Sequence, residues 1–155
     1  MRGLITILTL VALMNSNQGC SHPQTPSDDD REALSSDAWF ESVRWKHRLL
    51  VVEGDGDASD RQATLALDSK DGFLERDLIV IRLLEDKATV LVGETAMLPE
   101  SELFRRRFAI SGDAFEVVLI GKDGGVKERR RTVFETEELF GIIDAMPMRM
   151  REMRR

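Results

Sequence analysis

The chain carries one cysteine, Cys20, and it lies outside every segment patterned to fold. Disulfide exchange needs an attacking and a resolving thiol, so a dithiol oxidoreductase is excluded. Asp55, Asp57 and Asp60, with Ser59, form an oxygen-rich stretch of the kind that holds calcium. A calcium loop of the EF-hand type starting at Asp55 needs Gly at its sixth position and Glu at its twelfth. Asp60 and Ala66 stand there instead. The stretch therefore reads as a solvated loop whose carboxylates favour a helix N-terminus. Gly54-Asp55-Gly56 is too short for a dinucleotide fingerprint.

Met146, Met148, Met150 and Met153 crowd the C-terminus. Clustered thioethers can bind Cu(I), with His47 as an added nitrogen ligand. The simpler reading is that methionines fill irregular apolar gaps. Pro147 should kink or end the helix among them. Arg149, Arg151, Arg154 and Arg155, with Arg129, Arg130 and Arg131, offer an anion or partner surface, or a solvated tail. Trp45 and Arg48 are pocket candidates, though Trp45 reads more simply as core. Lys122 and Asp123 sit at a hairpin tip, where turn chemistry is the simpler role. No Ser-His-Asp set emerges. His22 lies in a tether, and His47 is flanked by Lys46 and Arg48, whose charges lower its pKa when close.

These groups sit in a chain of 155 residues, 42% hydrophobic and 32% charged, with a net charge of -6. That suits one globular domain. The acidic balance argues against nucleic acid, which needs a basic footprint. Leu4 to Met14 is an uncharged run following Arg2. It falls short of the roughly 20 residues of a membrane-spanning helix and has the length of a signal-peptide core. Residues 1–19 are therefore expected to be a signal peptide. Cys20 after Gly19 resembles the lipobox of bacterial lipoproteins, where the cysteine carries lipid, although Asn17 replaces the usual Leu. Residues 20–38, rich in Ser, Pro and Asp, read as a flexible tether, and 39–155 as the domain.

The elements that must position the candidate groups follow in order. Leu49 to Glu53 is a buried-strand run. Ser59 and Gln62 have capping-box spacing, predicting a helix that ends near Gly72. Leu78 to Leu84 is a second strand, and Ala88 to Val92 is either a minor strand or loop. Pro99 opens a helix at its first position, with Glu100 and Glu102 in the first turn and Arg105 to Arg107 in the last. Val117 to Ile120 is a third strand. Asp123, Gly124 and Gly125 make a tight turn of positive φ, and Val126 to Arg131 returns. Thr136 caps a final helix whose apolar face is Leu139, Ile142, Ile143 and Met146. The order β-α-β-α-β-β-α predicts an α/β domain, a central mixed sheet flanked by helices, in the order of the thioredoxin-like fold.

Four segments carry a family resemblance. They are Arg44-Trp45-Lys46-His47-Arg48, Arg76-Asp77, Leu119 to Gly125, and Ile143 to Arg149 followed by Glu152 and Met153. Together they resemble the domain-of-unknown-function family 4174, over roughly Trp45 to Met153. Its bacterial members are usually small exported proteins, and similar domains occur in animal sushi-repeat-containing secreted proteins. The resemblance implies a thioredoxin-like, peroxiredoxin-related fold and no particular activity. It makes Arg44, Trp45, Arg48, Lys122, Asp123, Asp144, Met146, Pro147, Met148 and Arg149 candidate binding positions. In thioredoxin-like enzymes the reactive cysteine follows the first strand at a helix N-terminus. Here Gly54 to Asp60 holds none, and Ala109 to Glu116 lacks the proline usual before the third strand.

The expectation is a non-enzymatic binding or interaction module of the cell envelope, periplasmic or anchored as a lipoprotein through Cys20. The alternatives are a peroxiredoxin-related oxidoreductase and methionine-based Cu(I) handling. No cofactor is implied. The expected partner is a protein or small molecule, with membrane contact only through the lipid.

Overall fold

The structure, a computed structural model, describes residues 37–95 and 97–154. The expected signal peptide, Cys20 and the tether to residue 36 lie outside the described residues, as does Arg155. Helix α1 (37–43) leads into strand β1 (Arg48–Glu53), which is buried from end to end, charged residues included. Its middle, Leu49 to Val52, is apolar on both sides because both faces of the sheet are covered. Helices α2 (Asp57–Asp68) and α3 (Lys70–Glu75) cross to β2 (Leu78–Leu83), parallel to β1. An edge strand β3 (Ala88–Val92) returns antiparallel. Helix α4 (Ser101–Phe108) precedes the hairpin β4 (Glu116–Ile120) and β5 (Val126–Arg130). Helices α5 (Thr136–Asp144) and α6 (Pro147–Glu152) follow.

The sheet order is β3-β2-β1-β4-β5, with β4 antiparallel to β1. This is a mixed five-stranded α/β sheet flanked by helices, consistent with the thioredoxin-like expectation. Side chains of alternating parity go to opposite faces. Leu49, Val51, Ile81 and Val118 meet Trp39, Phe40, Phe104 and Phe108 from α1 and α4. The four rings pack edge to face, with centroids 5.1 to 5.7 Å apart. Leu50, Val52, Val80 and Leu119 meet Ala66, Phe73, Leu139 and Ile143 from α2, α3 and α5.

Several expected caps are corrected. Helix α2 starts at Asp57 after Gly56 (φ 88), so Ser59 is three residues into the helix and no capping box forms. The Ser59 hydroxyl is buried without a partner among the described residues. Gln62 instead clamps the buried Phe134: its Nε2 donates to the Phe134 carbonyl (3.3 Å), and the Phe134 amide donates to Oε1 (2.7 Å). The helix breaks at Ser69, and Gly72 lies inside α3, where the Phe140 ring packs so close that a Cβ would sit 2.6 Å from it. Helix α4 begins after Glu100, whose carbonyl accepts from Leu103 (3.1 Å), so Pro99 precedes the helix. Glu135, rather than Thr136, occupies the N-cap of α5. In the hairpin turn only Gly124 has positive φ, and Asp123 Oδ1 accepts from the Gly125 amide (3.2 Å). Pro147 does end the preceding helix and starts α6. Among the described residues no helix is long and apolar enough to cross a membrane.

Candidate functional site

The two ends of β1 carry different polar clusters. At its start, the segments singled out by resemblance come together. Arg48 is 1% exposed. Its Nη1 donates to the Arg76 carbonyl (2.7 Å) and its Nη2 pairs with Glu152 (3.2 Å). Lys122, from the β4–β5 hairpin, bonds both Asp77 (2.7 Å) and Glu152 (2.8 Å). Arg76 forks onto Asp144 with bonds of 3.0 and 2.6 Å, a bidentate geometry that fixes direction as well as charge. Arg149 reaches Asp144 (3.2 Å) and Glu75 (2.7 Å), and donates to the Glu75 carbonyl (2.9 Å). Four cations thus meet four carboxylates, and α6 is fastened to the start of the sheet.

Burial opposes ionisation of Asp144, but hydrogen bonds from Arg76 and Arg149 outweigh it and hold its pKa below the usual value. At Glu152 burial is likewise outweighed, by the Lys122 hydrogen bond and the charge of Arg48. This clasp leaves no cation free to take a ligand's charge. Arg48 and Lys122 are held by Glu152 and Asp77, and Arg149 by Asp144 and Glu75, in the arrangement of a structural lock; among the described residues the buried Arg48 Nε has no partner.

Trp45 departs from the expected core role. It is 59% exposed, at φ 65, a left-handed conformation costly for a bulky residue. Its amide donates to the Lys122 carbonyl (2.6 Å), and the Arg44 guanidinium lies 5.3 Å from its ring centroid. Arg44 also donates to the Asp123 carbonyl (3.2 Å). Asp123 shapes the turn, pairing with Lys127 (2.6 Å), whose hydrogen bond outweighs burial and lowers its pKa. Lys122 is buried, not a hairpin-tip charge.

Of the arginines that offered either a basic surface or a solvated tail, Arg131, Arg151 and Arg154 are exposed, and three others are engaged. Arg149 is buried, Arg129 pairs with Glu116 (2.9 Å), and Arg130 pairs with Glu138 (2.6 Å). Arg129 also caps the end of α4 through the Phe108 and Ala109 carbonyls. Met146 packs against the core, Met148 is half-buried on α6, and Met150 and Met153 are exposed. His47 lines a groove in which no methionine takes part. Burial lowers its pKa; Asp77 opposes this, and Lys122 and Lys46 add to it.

At the other end of β1 lies a cleft of about 630 Å³. It opens at the carboxyl ends of the parallel strands β1 and β2, where open α/β sheets bind their ligands. Gly54 (φ 102) lets the turn after β1 run against Phe115; a Cβ there would approach its Cα to 3.3 Å. The lining carboxylates are Glu53, Asp55, Glu85, Glu102 and Asp113, against one cation, Arg105. Arg105 is already engaged. It forks onto the buried Glu53 (2.9 and 3.0 Å) and donates to the Leu84 and Glu85 carbonyls (3.0 and 2.9 Å). The Glu53 hydrogen bond raises its pKa against burial. The Ser111 hydroxyl bond lowers the pKa of Asp113. Asp60, from the expected acidic loop, is drawn off to Arg82 (2.8 Å). No group of three or more His, Cys, Asp or Glu able to hold a metal occurs among the described residues.

Glu53 and Arg105 were missed as a pair in the sequence. The available signal is parity: Glu53 shares a face with Leu49 and Val51, so a charge there needs a buried partner. Glu75 gives no such signal.

The fold and cleft define a thiol-free mixed α/β domain with an acidic crevice at its strand ends. The chain belongs to the family described as Domain of unknown function (DUF4174), whose model matches residues 39–152. No solved structure matches the chain.

Proposed function

We propose that this domain is a non-enzymatic binding module of an exported cell-envelope protein, and that the cleft at the end of β1 receives a cationic ligand such as a lysine- or arginine-bearing protein segment. One observation carries the reading. The crevice at the carboxyl ends of β1 and β2 is rimmed by carboxylates, and its single cation is spent on Glu53 and two carbonyls. The cleft therefore presents net negative charge and no thiol. A peroxiredoxin-related activity lacks a carrier in the domain, since Cys20 is the only cysteine.

Calorimetric titration with tri-lysine at low salt should give saturable binding that weakens as salt rises. Asp55→Asn with Asp113→Asn should weaken it by roughly ten-fold, with unfolding free energy changed by less than about 0.5 kcal/mol. No saturable binding, or binding indifferent to the double variant, would overturn the reading. Export and anchoring rest on residues 1–20 of the sequence. Mass spectrometry of the mature N-terminus should find an acylated Cys20; an intact residue 1 would end that part of the proposal.

A further inference from the structure

The clasp end of the sheet also presents groups that the clasp does not use. Helix α1 closes with the Lys46 and His47 amides donating to the Val43 carbonyl (3.1 and 2.9 Å), and Trp45 stands in that turn at φ 65. A left-handed residue after a helix is usually glycine, because a Cβ there is costly. Here a tryptophan holds the place, and it is 59% exposed. The Arg44 guanidinium stacks on its ring, and no core burial offsets the strain. Strain kept at an exposed aromatic side chain points to a use outside the chain.

Lys122 ties this turn to α6. Its carbonyl accepts from the Trp45 amide (2.6 Å), and its ammonium bonds Glu152 (2.8 Å). Trp45 and Glu152 thus hang on one lysine. They bring their exposed neighbours Lys46, Arg151 and Met153 to the same end of the molecule, with Arg154 one residue further on. The carboxylates here, Glu75, Asp77, Asp123, Asp144 and Glu152, all pair with cations of the clasp or the turn. Among the described residues Lys46, Arg151 and Arg154 form no ion pair, and Arg151 bonds the Pro147 carbonyl (3.2 Å). The unpaired charge at this end is therefore positive, on a chain of net charge -6. At the other end of β1, roughly 17 Å along the strand, the cleft is acidic.

We propose that the Trp45 end of the domain lies against an anionic lipid surface. An indole settles at headgroup level because its ring is amphipathic. Lys46, Arg151 and Arg154 are drawn to the lipid phosphates, and Met153 adds apolar contact. The acidic cleft then faces away from the membrane, as repulsion by the same phosphates requires. This contact depends neither on acylation of Cys20 nor on the ligand of the cleft.

The test follows Trp45 fluorescence in the full chain. Trp39 is buried in the core, so a lipid-dependent change belongs to Trp45 and should vanish in Trp45→Gly. With mixed phosphatidylcholine–phosphatidylglycerol vesicles the emission should shift to the blue, acrylamide quenching should fall, and brominated acyl chains should quench the ring. Phosphatidylcholine alone should produce none of these, and added salt should reverse them. Lys46→Gln, Arg151→Gln and Arg154→Gln together should raise the lipid concentration for the half-maximal shift by about ten-fold or more. All three residues are exposed, and an unchanged thermal midpoint verifies that the triple variant folds. Attachment through residues 1–20 does not imitate the result, because the signal is the ring's own contact with lipid. Acrylamide quenching unchanged by anionic vesicles, an equal response on neutral vesicles, or a response untouched by the triple variant would overturn the proposal.

Discussion

The two ends of β1 hold comparable numbers of charged residues and use them differently. At the Arg48 end, four cations and four carboxylates are matched one against another and tie α3, β1, the β4–β5 hairpin and α6 together. At the Glu53 end, five carboxylates surround one cation, and most of them face the opening. A charge-matched network resists change where its members are buried, as Arg48, Lys122 and Arg149 are, because a buried charge that loses its partners is costly. An unsaturated rim has charge left for something outside the chain. The segments that carry the family resemblance therefore mark the lock, and the cleft is built largely by residues outside them.

That contrast can be broken most directly at Arg48. Arg48→Met should cost about 2 kcal/mol in denaturant unfolding, since it leaves the Arg76 carbonyl without its donor and Glu152 with Lys122 as its remaining close cation. A cost under about 1 kcal/mol would mean that the clasp is ornamental and the contrast false. Glu53→Gln tests the one pair in the cleft that behaves like the clasp. It should cost about 2 kcal/mol by weakening the charged fork from Arg105, measured by the same unfolding curves.

Acid should open the clasp by a smaller amount, because Asp144 and Glu152 remain 30% and 25% exposed and solvent screens them. Their folded pKa values lie below the unfolded values, which are about 4. Their stabilisation is thus complete above about pH 4 and is lost as pH falls through the lower folded values. Thermal midpoints across that window should flatten in Asp144→Asn. The smallest effect belongs to Trp45→Gly. Relief of the left-handed backbone should leave stability unchanged or raise it by about 1 kcal/mol. A large loss would show that the exposed ring belongs to the lock.

Legibility in the sequence followed how local each signal was. The central strands were readable because burial on both faces leaves continuous apolar runs, as in Leu49 to Val52, whereas the edge segment Ala88 to Val92 read as strand or loop. The turn at Asp123-Gly124-Gly125 and the break at Pro147 were readable because backbone chemistry sets them within a few residues. The caps at Ser59, Pro99 and Thr136 were misplaced by one to three residues. Side-chain preference there competes with packing that spacing does not reveal, as when Gln62 is taken up by Phe134, 72 positions away.

Arg149 looked like part of a basic tail, and Trp45 like core. Both were misread because partners such as Glu75 and Lys122 are distant in the chain and near only in the fold. By itself the sequence determined that Cys20 is the only thiol, that an α/β sheet forms, and that the chain resembles its family. Those depend on composition and local periodicity. Which charges cancel and which stay free was decided by tertiary structure alone, because an ion pair needs two groups within about 4 Å and only the closed sheet brings them there.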